Sequence, residues 1–173
     1  MDILDRLLSH NEWATRVLIE RCGQLSSEDY HREMEIGLGT LHKTCAHIVG
    51  VMFVWGNMVA TNSPGELRDL SQVCKGPNEL LQELASAHSC LVNAGNGLRE
   101  SDHLDEVFEM VHPRTNMRYR FTRGSMMTHV LTHGMHHRAQ ILQMLRQLGE
   151  KELPDVDVLE WEIVESVGSR EPA

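Results

Sequence analysis

The chain has 173 residues, the length of one domain with a sizeable core. Hydrophobic residues make up 41% of it and charged residues 24%, a mixture typical of globular proteins. The net charge is −9, and Lys and Arg form no concentrated run, so binding to nucleic acid is not expected. The eleven histidines are an excess for this length, and they cluster.

The sequence also indicates the cellular compartment of the protein. Residues 1–6 carry acidic side chains and precede no long apolar region, unlike a secretion signal. The longest apolar stretch, Ile48 to Ala60, is short and contains Asn57, so we expect a buried helix and no membrane span. The four dispersed cysteines form no Cys-x-x-Cys pair and are expected to be reduced. A cytoplasmic protein is the prediction.

Two long helices are predicted in the first part of the chain. Apolar residues at helical spacing indicate a helix from about Ile3 to Arg21, which ends before Gly23. A second helix begins after Thr40, a good N-cap, and is apolar on most faces near its middle. Asn62-Ser63-Pro64-Gly65 should end it.

The second part of the chain begins with a third helix at Pro77, and we expect Gly95 and Gly97 to weaken it. Alternating polar and apolar residues in Glu106–Val111 and Met117–Thr122 then predict a small β-hairpin, with a turn over residues 112–116.

A fourth long helix should run from Ser125 to Leu148, with Gly149 as its stop. A short helical element is expected over Val156–Val164. These elements predict an all-α fold, a four-helix bundle with a small β-hairpin before the last long helix. Residues 1–167 should form a single domain and residues 168–173 a loose tail.

The most informative segment lies in the fourth helix. His129, His133 and His137 are four residues apart, so each ring lies about 40° around the helix from the last, and the three form a row. Two imidazoles spaced by four residues can converge on one transition-metal ion. The same row would also suit a helix whose histidines only pack, form hydrogen bonds or face water.

Two ligands on one helix leave a metal under-coordinated, so another element must contribute. His47 lies between Ala46 and Ile48 in the most apolar stretch and should point inward, whereas His42 lies about 140° away around the helix. His47 is therefore the better candidate for the third ligand. Three nitrogen ligands are typical of a catalytic site, because structural zinc is usually held by four protein ligands.

The His-Glu-x-x-His arrangement of zinc proteases is absent, because Gly134 follows His133. A hydrolase with its base on this helix is thus disfavoured. Any carboxylate near the metal would come from elsewhere, and the sequence does not rank Asp2, Asp5 and Glu12.

Three blocks of sequence resemble the DinB family, also called the DinB/YfiT-like metalloenzymes. Residues 11–14 resemble its N-x-W-A-N motif, and residues 40–49, followed by Trp55, resemble its second-helix block. Residues 129–141, followed by Leu148-Gly149, resemble its H-x-x-x-H-x-x-x-H-R-G-Q motif with L-x-x-L-G, although Ala139 replaces the usual glycine. The third block is the most specific.

The resemblance implies a four-helix bundle, a homodimer, and a divalent metal, nickel or zinc, held by His47, His133 and His137. Some relatives are thiol-dependent S-transferases or isomerases that use bacillithiol, mycothiol or glutathione. We therefore expect a metal-dependent enzyme of the thiol S-transferase type, whose partners are a small-molecule substrate or a low-molecular-weight thiol. The alternative is a non-catalytic metal-binding stress-response protein.

Several other residues are candidates for the surroundings of the site. His129 is expected either to support a metal ligand from behind or to line the pocket, and His136 to pack or to lie at its rim. Trp55 is a core residue or a substrate-stacking one, and Arg138 has a packing, surface or chemical role. For His10, on the first helix, a solvated position is the expectation.

Overall fold

The computed structural model describes residues 1–63, 69–101, 103–111, 115–165 and 168–171. Within these ranges the chain forms seven helices and one two-stranded sheet. In chain order, the elements are α1 (Ile3–Cys22), α2 (Ser27–Tyr30), α3 (Leu41–Thr61), α4 (Leu70–Val73), α5 (Pro77–Ser101), β1 (Val107–Val111), β2 (Arg118–Thr122), α6 (Arg123–Gln147) and α7 (Val158–Glu165).

The four long helices α1, α3, α5 and α6 pack around one hydrophobic core. Each contributes side chains that are fully buried, such as Leu18, Val49, Leu91 and Met144. Helix α3 packs against the other three long helices, which explains why its sequence is apolar on most faces. The core therefore holds α3 and α6 side by side, and these two helices carry the candidate ligands.

Helix α3 begins and ends with recognisable caps. The Thr40 hydroxyl accepts a hydrogen bond of 3.0 Å from the backbone N–H of Lys43, so the predicted N-cap is confirmed. The helix ends before Asn62, which adopts the left-handed conformation with φ of 50°. The predicted stop residues Pro64 and Gly65 lie outside the described residues.

By length and composition, α3 is the one helix in the described ranges that could cross a membrane. However, 61% of its most apolar window is buried inside the protein. This is the burial expected of a core helix, as the sequence predicts.

Helix α5 is longer than its glycines suggest. It continues through Gly95 and Gly97 to Ser101, so the expected weakening does not end it. A Cβ at Gly95 would lie 3.2 Å from Leu8 Cδ1, which shows that the small residue lets α1 pack closely against α5. Tertiary packing here outweighs the low helix propensity of glycine.

The hairpin forms as predicted, with β1 and β2 antiparallel and Phe108 opposite Phe121. Most of its predicted turn, residues 112–114, lies outside the described residues. Strand β2 leads directly into α6, whose first turn is capped by the Thr122 hydroxyl. The helix thus begins at Arg123, two residues earlier than expected, and the hairpin lies beside its N-terminal half.

The C-terminal segment returns to α1. Helix α7 corresponds to the short element predicted over Val156–Val164, and its Trp161 is buried against Trp13 and Ala14. Residues 168–171 form neither helix nor strand, and the last two residues of the predicted loose tail lie outside the described residues.

All four cysteines are free thiols, as expected. Cys22, Cys45 and Cys74 are buried, and Cys90 is half-buried.

Candidate metal centre

Three histidine rings from α3 and α6 meet at one place. The Nε2 atom of His133 lies 3.4 Å from Nε2 of His47 and 3.2 Å from Nε2 of His137. One nitrogen from each ring lies within 4.8 Å of the other two. The structure therefore brings together the three residues that the sequence selects as ligands.

The spacing of these nitrogens fits a divalent ion. Zinc–nitrogen bonds of about 2.0–2.1 Å at tetrahedral angles would separate two ligand nitrogens by about 3.3 Å. The two Nε2–Nε2 distances, 3.4 Å and 3.2 Å, fall on either side of that value. Imidazole nitrogens also form the donor set that zinc, nickel, copper and iron share, so three such rings could hold any of these ions.

The electrostatics keep the three rings in the form that binds metals. Burial lowers the pKa of His133 to about 4, and repulsion from His137 and His47 acts in the same direction. Burial also lowers the pKa of His47 and of His137. At neutral pH all three imidazoles are therefore uncharged, and each has a lone pair available for a ligand.

Gln140 sets the orientation of the His137 ring. Nδ1 of His137 donates a hydrogen bond of 2.7 Å to Gln140 Oε1, which leaves Nε2 free to face the other two rings. The Gln140 side-chain amide also lies 3.0 Å from Nε2 of His136. Gly37, with φ of +53°, packs its backbone so tightly against Gln140 that a side chain there would collide with it. The sequence does not reveal these contacts of Gln140.

Arg138 fixes α6 against α1. It is buried, and its guanidinium donates hydrogen bonds of 2.7 Å to Asn11 Oδ1 and 3.3 Å to the Thr15 hydroxyl. Burial lowers its pKa to about 10, so it remains charged at neutral pH. Asn11 in turn lies 3.7 Å from the sulfur of Met52 on α3. Of the packing, surface and chemical roles considered for Arg138, its burial and its bond to Asn11 favour packing.

The exposed side of the histidine cluster is formed by His129, Trp55 and His136. The ring of His129 is centred 5.2 Å from that of His133 and 4.8 Å from that of Trp55. Trp55 is half-buried, so it is neither a pure core residue nor a freely exposed one. His136 is exposed, and its Nε2 lies 3.0 Å from the Gln140 side-chain amide.

Two other histidines lie elsewhere. His42 is buried, and its Nε2 donates a hydrogen bond of 2.7 Å to the Cys74 carbonyl, away from the cluster. The expectation that His10 is solvated is wrong, because only 5% of it is exposed and Nε2 donates a bond of 2.8 Å to the Val156 carbonyl. His10 is buried because the C-terminal segment folds back over α1, a contact between residues 146 positions apart.

Asp2, Asp5 and Glu12, the three carboxylates that the sequence does not rank, form ion pairs away from the histidine cluster. Asp2 and Asp5 form ion pairs with Arg99, and Glu12 pairs with Arg16. Asp69, which precedes α4, is close enough to His47 to oppose in part the effect of burial on the pKa of that ring. No sequence pattern points to Asp69, because it caps α4, a helix of only four residues.

Comparisons with known proteins identify the family of this chain. The model of the DinB family matches residues 1–165. The chain is 22% identical over 157 residues to Protein DinB of Bacillus subtilis strain 168, an alignment that covers 88% of this chain and 90% of the relative.

The fold is also similar to that of a DinB-like protein from Bacillus cereus ATCC 10987, whose crystal structure is known. The TM-score is 0.62 at 18% identity, over 85% of this chain and 91% of the other. This similarity confirms the predicted mostly helical fold with its small two-stranded sheet. Because the family model spans nearly the whole sequence, the chain belongs to the DinB family.

Proposed function

We propose that the protein is a metal-dependent enzyme of the thiol S-transferase type, with nickel or zinc held by His47, His133 and His137. The observation that carries the proposal is the convergence of three uncharged imidazoles from two helices. Three protein ligands are the number found in catalytic zinc sites, where a further position serves water or substrate. A bound divalent ion would act as a Lewis acid that lowers the pKa of a thiol to give a thiolate at neutral pH.

The surroundings of the cluster give a substrate access to it. The rings of His47 and His133 are half-buried, while His137 is buried behind them. Beside His129 lies an open cavity of about 420 Å³, lined in part by the hydroxyl groups of Ser125, Thr128 and Thr132. The Thr128 and Thr132 hydroxyls donate to backbone carbonyls of their own helix, and their oxygens can still accept hydrogen bonds. The cavity therefore suits a polar molecule with N–H or O–H donors, such as a low-molecular-weight thiol.

The proposed reaction joins that thiol to an electrophile. The sulfur forms a bond to an electrophilic carbon, the leaving group departs with its electron pair, and the thiol proton passes to solvent. The exposed His129 ring lies beside the cluster, where it can form a hydrogen bond with a bound substrate. Gln140 keeps His137 oriented, and Arg138 keeps α6 in place against α1.

Metal binding is the first test. Protein purified without an affinity tag should contain about one divalent ion per chain, measured by elemental mass spectrometry, whereas His133→Ala should contain none. The matched control is His136→Ala, which removes a histidine at the rim of the same helix and should retain the ion. Stoichiometric metal in His133→Ala, with an unchanged helical circular dichroism spectrum, would refute the ligand assignment.

Thiol transfer is the second test. Metal-loaded protein should accelerate the reaction of glutathione, bacillithiol or mycothiol with a panel of electrophiles, and the metal-free protein should not. If the protein binds metal but transfers none of these thiols, the alternative of a non-catalytic metal-binding protein is favoured.

A further inference from the structure

A line of aromatic side chains leads from the histidine cluster to the hairpin. The ring centres are 5.2 Å apart between His133 and His129, and 4.8 Å between His129 and Trp55. The line continues to Phe121 at 6.5 Å and from there to Tyr119 at 5.9 Å. We call the rings of His129, Trp55, Phe121 and Tyr119 the aromatic row.

The aromatic row is not part of the buried core. The chain has three Phe, three Trp and two Tyr residues, and three of these eight lie in the row. Tyr119 is 38% exposed, and Trp55 and Phe121 are half-buried, whereas Trp13 and Trp161 are each 5% exposed. The protein has few aromatic residues, and three of them, Trp55, Phe121 and Tyr119, are at least partly exposed beside its candidate metal centre.

The hairpin holds the outer end of the row in place. Tyr119 and Phe121 are two residues apart on β2, so both point to the same face of the sheet. Their partners on β1 are Met110 and Phe108, and Phe108 is buried in the core. Because the buried Phe108 anchors that face of the sheet, the rings of Phe121 and Tyr119 are held in position before any ligand binds.

The geometry of the row favours flat, conjugated molecules. The rings of Tyr119 and Phe121 are nearly parallel, at 17°, whereas Trp55 is tilted by 72° from Phe121 and by 62° from His129. The rings of the row are therefore parallel at its outer end and steeply inclined to one another around Trp55. Aromatic rings attract one another in offset-stacked and edge-to-face arrangements, a preference that a saturated ring of the same size does not share.

We propose that the aromatic row binds the electrophile, and that this electrophile is a flat, conjugated or aromatic compound. The proposal rests on the proposed function, because it assigns one of the two substrates of thiol transfer to this surface. With a chloronitroarene as acceptor, sulfur would bond to the ring carbon, chloride would leave with the bonding pair, and the thiol proton would pass to solvent. The open cavity that His129 also lines remains for the thiol.

Binding can be tested without catalysis by a matched pair of probes, 2-naphthol and its saturated counterpart decahydro-2-naphthol. Wild-type protein should bind 2-naphthol about 2- to 13-fold more tightly, measured by titration calorimetry or saturation-transfer NMR, which corresponds to about 0.5–1.5 kcal/mol for an aromatic pair. Trp55→Leu should remove this preference, and Trp55→Phe should keep most of it. Equal affinity for the two probes, or an unchanged preference in Trp55→Leu, would overturn the proposal.

Phe121→Leu provides a second variant in case Trp55→Leu does not fold, which its circular dichroism spectrum and melting temperature will show. It should also reduce the preference for 2-naphthol, because it removes the next ring of the row. An unchanged preference in folded Phe121→Leu would likewise count against the aromatic row.

The activity measurement separates this proposal from the proposed function. For thiol transfer to 1-chloro-2,4-dinitrobenzene, Trp55→Leu should lower kcat/KM about three- to tenfold, and it should lower kcat/KM for the small aliphatic reagent iodoacetamide by a clearly smaller factor. Absence of all thiol transfer, with the 2-naphthol preference intact, would refute the proposed function but support the row as a binding site. Equal losses with both electrophiles would refute the row as the acceptor site.

Discussion

Replacing Gly134 by Ala tests how the candidate ligands are held in place. In most helix interiors this change is stabilising, by about 1 kcal/mol, because alanine has the higher helix propensity. Here the opposite is expected. A Cβ at position 134 would lie 2.7 Å from Asn11 Oδ1 and 3.0 Å from Arg138 Nη1, the two atoms that form the buried hydrogen bond between α1 and α6.

The size of the effect follows from these contacts. Overpacking a tight interior costs about 1–3 kcal/mol. Loss of a hydrogen bond to a charged group costs about 1.5–3 kcal/mol. With both costs and after subtraction of the helix-propensity gain, the free energy of unfolding should fall by about 1.5–5 kcal/mol. For a protein of this size the melting temperature would then fall by about 3–20 °C.

Chemical denaturation of the metal-free protein provides the assay, and Gly97→Ala provides the matched control. Gly97 also lies in a long helix, but a Cβ there would have no non-neighbouring atom within 4 Å. Gly97→Ala should therefore be stabilising by about 0.5–1 kcal/mol. If Gly134→Ala is as stable as wild type or more stable, the reasoning about the Asn11–Arg138 contact is wrong.

Two further predictions concern Gln140 and His10. Gln140→Leu removes the acceptor of the His137 Nδ1–H, so the dissociation constant for zinc should rise about 10- to 100-fold in calorimetric titration. Burial lowers the pKa of His10 in the folded protein. Between this lowered pKa and pH 6.5, the unfolded chain therefore binds a proton at His10 that the folded chain does not. The free energy of unfolding of the metal-free protein should therefore fall as the pH is lowered below 6.5, and less steeply in His10→Gln.

The Gln140 prediction has a matched control variant, and both predictions have an outcome that would contradict them. Gln143→Leu changes an exposed glutamine on the same helix and should leave the zinc affinity unchanged. Equal zinc affinity in Gln140→Leu would show that the hydrogen bond to His137 does not orient the ring. An identical pH slope in wild type and His10→Gln would show that His10 takes up its proton equally in both states.

The candidate ligands could be predicted from the sequence because their signals are local. The four-residue spacing of His133 and His137 places both rings on one side of a helix, whatever the rest of the chain does. The apolar neighbours of His47 likewise indicate that its ring points inward. Long helices with caps and regular apolar spacing are predictable for the same reason.

The remaining features depend on contacts between distant parts of the chain. The burial of His10 depends on the C-terminal segment that supplies the Val156 carbonyl, and the environment of His47 includes Asp69, the N-cap of α4. The one-turn helices α2 and α4 are too short to show a hydrophobic period. The tolerance of α5 for Gly95 depends on how α1 packs against it.

The most direct test of the central claim is anomalous diffraction from crystals of the zinc- or nickel-loaded protein, with data collected at the absorption edge of the metal. The account predicts one anomalous peak per chain, within bonding distance of the Nε2 atoms of His47, His133 and His137. A peak held by other residues, or metal-loaded crystals in which these three rings point apart, would contradict it.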